Sequence, residues 1–168
     1  MVAQPSKQRR IVGTTVGRVS PLLDAVNLRI LRELQLDPRR AIAALARRVR
    51  MSPPAVAERV QRLRDAGVIV GCRLELDPKA LGRPIAAFVR IRPAPGQLQK
   101  VAELAQRTPE VVECHRITGE DCFLLKVHVG EVDQLETILD DFLAHGQTTS
   151  SIVQSSPVPA RALPLPAG

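Results

Sequence analysis

The chain has 168 residues, 45% of them apolar but only 2% aromatic, with no Trp and no Tyr. Its core must be built from Leu, Val, Ile and Ala, and stacking of bases on aromatic platforms is excluded as a main mode of recognition. The net charge of +7 is unevenly spread: residues 1–83 carry 17 Lys/Arg against 7 Asp/Glu, and residues 84–168 carry 7 against 10, so a polyanion would meet the first half.

Residues 1–20 show no periodicity and read as a mobile, disordered basic arm with Lys7, Arg9, Arg10 and Arg18. They lack the apolar stretch of a secretory signal. The first helix is predicted over 24–36, started by Asp24, with Leu23, Asn27, Ile30, Leu31 and Leu34 on one side, and broken by Asp37-Pro38. A second short helix is predicted over 41–49, with Ile42, Leu45, Ala46 and Val49 as its apolar stripe. A third begins after Met51: Ser52 suits the N-cap and Pro53 the first helical position, Val56, Val60 and Leu63 face inward, and Gly67 ends it. The period then drops to two, which predicts a strand over 69–76 with Cys72, Leu74 and Leu76 on one face. Asp77-Pro78 stops it, and Gly82-Arg83-Pro84 marks a junction.

The second half reads as strand 86–92, a helix from Leu98 ending before Pro109, strand 111–118, a turn at Gly119-Glu120-Asp121, strand 123–129, a helix through Leu135, Ile138, Leu139 and Phe142, and strand 148–154. The order β-α-β-β-α-β is the ferredoxin-like motif. The expected class is α+β. Its divisions are the basic arm 1–20, a helix-turn-helix 21–67, a linker strand and hinge 68–84, a second domain 85–156, and an irregular Pro-rich tail 157–168.

Catalytic and metal sites are not expected. The three cysteines, Cys72, Cys114 and Cys122, have no structural zinc spacing and read as reduced thiols of a cytoplasmic protein. Cys114 and His115 are adjacent on a strand and point to opposite faces. The three histidines, His115, His128 and His145, form no Ser-His-Asp or Cys-His pattern, and no phosphate-binding loop or dinucleotide fingerprint occurs. No apolar run approaches membrane-spanning length.

Three short helices, the last two joined tightly, are a helix-turn-helix candidate. Its third helix would enter the major groove of duplex DNA. Pro54, Ala55, Glu58, Gln61 and Arg62 then face outward, with Arg59 on the flank. Ser52, Pro53 and the free N–H groups of the helix start are placed against phosphate. Arg62 reaches a phosphate or a guanine edge. Arg47, Arg48 and Arg50 cluster just before the helix. The bland alternative is a solvated basic face on a three-helix bundle, since Glu58 and Arg62 are also an i, i+4 pair.

The chain resembles the leucine-responsive and asparagine-operon regulators, the Lrp/AsnC or feast/famine family, over roughly residues 22–156. The carriers are Leu23-Asp24 with Ile30-Leu31, Met51-Ser52-Pro53, Glu58-Arg59-Val60 with Arg62-Leu63, Gly67-Val68-Ile69 with Gly71, Asp77-Pro78 with Leu81-Gly82, and Thr118-Gly119. The resemblance implies a winged helix-turn-helix, a linker strand, and a ligand-sensing domain of the RAM type. It implies a cytoplasmic, nucleoid-associated regulator of transcription, in homodimers that assemble further, often into octamers. It also implies an amino-acid effector, with no other cofactor, held by Thr118, Gly119, Glu120, Asp121 and Cys122 and joined by Thr149 and Ser151. The last two fit ordinary edge-strand polarity as well. An architectural DNA-binding protein with little effector response is the alternative function. The chain departs from the family at Asn27 for Asp, Arg50 for Gly, Ala41 for a capping residue, and in the turn Gly119-Glu120-Asp121-Cys122, where the family often has Gly-Asp.

Overall fold

A computed structural model describes residues 20–166, so the basic arm, apart from Ser20, lies outside the described residues. The chain divides into two compact units, the first holding the N-terminal helices together with residues 162–166 of the described chain and the second spanning Leu74–Arg161.

The first unit has three helices: α1 (Ala25–Leu36), α2 (Ile42–Val49) and α3 (Pro53–Asp65). Asp24 caps α1 by accepting from the Asn27 N–H at 2.7 Å. Ala41 occupies the N-cap of α2 and supplies no side-chain hydrogen bond. Ser52 stands at the N-cap of α3 but makes no capping bond there. Pro53 and Pro54, the first two helical residues, have no N–H to offer it. Ile30, Leu45, Val56 and Leu63 are fully buried between the helices, beside Leu31, Ala46, Val49 and Val60. The predicted stripes therefore all face the core. Between α2 and α3, Arg50 is left-handed (φ 56°, ψ 52°), and the Met51 N–H returns to the Ala46 carbonyl at 3.0 Å. A non-glycine residue costs about 1–2 kcal/mol in this conformation.

The expected linker strand over 69–76 is not formed: no strand precedes the second domain among the described residues. Val70 and Leu74 are strongly exposed. An isolated extended segment has no neighbour to complete its hydrogen bonds, which is why alternation alone did not make a strand here. Residues 157–166 form no helix or strand, yet they are not free of the first unit. Leu165 packs against that unit's core, and Gln35 Nε2 donates to the Leu163 carbonyl at 2.9 Å.

The second unit holds β1 (Ile85–Pro93), α4 (Leu98–Arg107), β2 (Val111–Arg116), β3 (Phe123–Val129), α5 (Val132–Leu143) and β4 (Gly146–Ile152). The sheet order is β2-β3-β1-β4, antiparallel throughout, as the ferredoxin-like motif requires. Ala87, Val89, Ile91, Phe123, Leu125 and Val127 face Val101, Leu135 and Phe142 of the helices and form the core. Alternation leaves the other sheet face to Phe88, Arg90, Arg92, Leu124, Lys126, Thr149 and Ser151. Gly146 opens β4 where a Cβ would lie 2.3 Å from the Arg92 carbonyl oxygen, so only glycine fits that crossing.

Candidate DNA-binding face and effector turn

The cations singled out in the first unit divide by what holds them. Arg47 and Arg50 are exposed and enter no ion pair among the described residues. Arg48 is exposed and lies 3.8 Å from Glu33. An open pocket of about 380 Å³ is lined by Arg40, Ala44, Arg47 and Arg48. Arg40, which sequence reasoning passed over, is largely buried and ion-paired to Glu33, with Asp37 at 3.7 Å. Its position just outside α2 carries no periodic signal.

On α3, Ser52, Pro53 and Pro54 are exposed, and Ala55 is half-buried. The two prolines leave fewer free N–H groups at this helix start than an ordinary one offers a phosphate. Arg62 is exposed and ion-paired with Glu58 one turn before it. Arg59 is differently engaged. Its Nη1 donates to Asp24 Oδ2 at 2.7 Å and to Asn27 Oδ1 at 3.1 Å. Asn27 is itself buried and donates to the Leu22 carbonyl at 2.7 Å. Arg59 thus links α3 to the start of α1. The Asn27 N–H, and after it the Arg59 guanidinium, hold the Asp24 carboxyl below its ordinary value of 3.8.

In the second unit the turn 118–122 joins β2 to β3. It is closed by the Ile117 N–H donating to the Cys122 carbonyl at 2.9 Å. Gly119 has φ 109°, a conformation strained for any other residue, and nothing lies within 4 Å of where its Cβ would be. Thr118, Gly119 and Glu120 are exposed, while Asp121 and Cys122 are half-buried. The two carboxylates are already engaged by β1. Arg92 is ion-paired with Glu120 and its Nε lies 4.0 Å from Asp121. Arg90 Nη1 lies 3.6 Å from Asp121 Oδ2. In register, Thr149 of β4 sits opposite Arg90, and Ser151 opposite Phe88. The sheet therefore sets β1 between the turn and the two hydroxyl residues. Sequence reasoning missed Arg90 and Arg92, although the alternation of residues 88–92 already placed both on one face.

Among the described residues no group of three His, Cys, Asp or Glu is placed to hold a metal. Cys72 and Cys114 are exposed and Cys122 is half-buried, and partial desolvation raises the Cys114 thiol above its ordinary range, which leaves less of the reactive thiolate. Among the described residues no helix is long and apolar enough to cross a membrane.

Residues 23–64 match the family model of the AsnC-type helix-turn-helix domain, and residues 86–163 that of the Lrp/AsnC ligand binding domain. The chain is 31% identical over 133 residues to the HTH-type transcriptional regulator LrpC of Bacillus subtilis, covering 79% of this chain and 92% of that one. The solved structure of that protein superposes with a TM-score of 0.76 over 80% of this chain and 96% of the other, at 30% identity. The leucine-responsive regulatory protein of Escherichia coli K12 is 35% identical over 124 residues, 72% of this chain and 76% of the relative. The transcriptional regulator NMB0573 of Neisseria meningitidis, solved as a complex with L-Met, gives a TM-score of 0.77 at 28% identity, over 84% of this chain and 96% of that one.

Proposed function

The chain belongs to the Lrp/AsnC family of transcriptional regulators, a regulator with a helix-turn-helix DNA-binding domain and not an enzyme, and from that premise we propose how it reads DNA and what it senses. The DNA face is the side of the first unit presenting Arg47, Arg48 and Arg50, the start of α3 at Ser52, Pro53, Pro54 and Ala55, and Arg62. Exposed Arg47 and Arg50, which no carboxylate answers among the described residues, carry this reading, because phosphates replace counterions there rather than existing partners. Arg59 supports the face indirectly, by fixing α3 against α1. Such a protein works on the nucleoid, in the cytoplasm of a prokaryote.

The effector is an amino acid, bound at Thr118, Gly119, Glu120, Asp121 and Cys122 with Thr149 and Ser151. In support, the open turn, the acids and the hydroxyls lie around one strand, and a structural relative was solved with L-Met. Homodimers form through the exposed linker and the open sheet face, and assemble further, to an octamer or another closed form. Effector binding shifts DNA affinity only through different affinities for two states of that assembly.

Selection of sites from random duplex DNA, with and without each of the twenty amino acids, tests the proposal. The expected result is a twofold-symmetric site bound roughly 10³–10⁷ times more tightly than bulk DNA, with at least one amino acid altering its occupancy. Uniform binding to all sequences, unchanged by any amino acid, would establish the architectural function instead.

A further inference from the structure

We propose that the Pro-rich tail is a strap: its last described residues dock on α1 and give the helical unit a second connection to the sheet unit, which restrains how the helical unit turns when it meets DNA. The chain passes between the two units twice. It leaves the first after Arg73 and returns to it at Ala162. The outgoing connection, residues 66–84, contains no helix or strand. A body held by one such connection turns freely about it, and relative motion is the default for domains joined in this way. A body held at two separated points keeps only rotation about the line through them.

The return is the shorter and stiffer of the two. Just past β4, the Val153 N–H still donates to the Ala86 carbonyl at 2.8 Å. At the other end the Leu163 carbonyl accepts from Gln35 Nε2 of α1 at 2.9 Å. Residues 153–163 reach about 31 Å at about 3.1 Å per step, and Pro157 and Pro159 restrict the path between. The outgoing stretch from Ile69, packed on the helical core, to Ile85 reaches about 53 Å when extended, so the tail sets the limit. The anchor itself is small. Leu165 and Pro166 are half-buried, Leu165 packs against the core of the helical unit, and the exposed Leu163 holds through its carbonyl alone. Prolines on both sides of Leu165 leave the docked segment little freedom to lose. One leucine and one exposed hydrogen bond hold weakly, so the strap opens without unfolding the helices. It uses neither the linker nor the open sheet face through which copies pair. Leu165 and Pro166 also lie beyond the residues that match either family model, which makes the strap a feature of this chain.

The test compares the full chain with a chain ending at Ala162 and with Gln35→Ala. Backbone nitrogen relaxation by NMR reads the restraint without DNA. In the full chain the amides of α1, α2 and α3 are expected to tumble with those of the sheet; in the shortened chain they should tumble roughly twofold faster, as a body on a single tether does. Gln35→Ala removes one exposed hydrogen bond and leaves the apolar contacts, so it is expected to fall between the two. It decides the matter if shortening the chain frays α1. The DNA arm rests on the reading of the first unit as the DNA-binding one. Moving two operator half-sites apart by half a helical turn should weaken the full chain roughly tenfold more than the shortened one, while a single half-site binds both alike. Equal tumbling of the helices in all three proteins would overturn the strap, whatever the DNA result. Faster tumbling with an unchanged spacing preference would overturn its role on DNA. A full chain that prefers no spacing at all would sink the operator reading instead, and the relaxation data would still decide the strap.

Discussion

Two arginines within one short stretch of sequence do opposite work. Among the described residues Arg59 is the one side-chain donor to the buried Asn27 Oδ1, and it also grips the cap of α1 at Asp24. Arg59→Ala should therefore destabilise the first unit by about 1–3 kcal/mol, the cost of leaving a buried acceptor unmade, as read by chemical denaturation. Asp24 adds a pH dependence. Its carboxyl is held below 3.8 in the fold, so its stabilising contribution is present in full above that value and is lost as the pH falls through the lowered one. Stability below pH 3.8 should decline more steeply in wild type than in Asp24→Asn. Arg47→Ala should do the reverse of Arg59→Ala. It leaves the melt unchanged, weakens operator binding, and lowers the log–log salt slope by about 0.9. Gel shifts across a salt series that show wild-type affinity and slope for this variant would move the DNA face elsewhere.

At the scale of elements, the turn between α2 and α3 carries a cost that a smaller residue would avoid. Arg50→Gly should relieve the left-handed strain and stabilise the first unit by about 1 kcal/mol, while weakening DNA binding if the guanidinium meets phosphate there. A variant that is both more stable and fully active would show that Arg50 does nothing on DNA. The helices were legible because their signals are local: Asp24 before Asn27, the stripe of Val56, Val60 and Leu63, and the break at Asp37-Pro38. The order of strands was legible through alternation and the Gly119 turn. The linker was not, because residues 69–76 alternate but pair with no strand among the described residues. Arg90 and Arg92 escaped for a related reason. Their partners, Asp121 and Glu120, lie about thirty residues on, and only the β1–β3 register brings them together. The role of Arg59 was equally hidden, since its partners sit on another helix.

For the whole molecule, the charge division of the sequence coincides with the division into two compact units, the basic one carrying the helices and the acidic-leaning one the sheet. The unpaired linker, with Val70, Leu74 and Leu76 exposed, leaves apolar surface and backbone groups that a second copy would satisfy. Light scattering at micromolar concentration should find a dimer or larger assembly, and operator half-sites should repeat at about 34 Å or a multiple of it. A strictly monomeric chain would refute this.

The packing of Leu165 against the first unit also bears on the order in which the protein is made. The first unit is discontinuous in sequence: most of it leaves the ribosome early, yet one of its apolar contacts belongs to residues translated after the entire second unit. Domains generally fold as they emerge, so the helices form first around an incomplete wall, and Leu165 is the last piece to be fitted. Leu165→Ala should lower the stability of that unit by about 1 kcal/mol, as a half-buried leucine warrants. Amide exchange should then quicken in α1 and leave the sheet unaffected. A nascent chain halted before this residue should show the same faster exchange, which synthesis past Leu165 would slow.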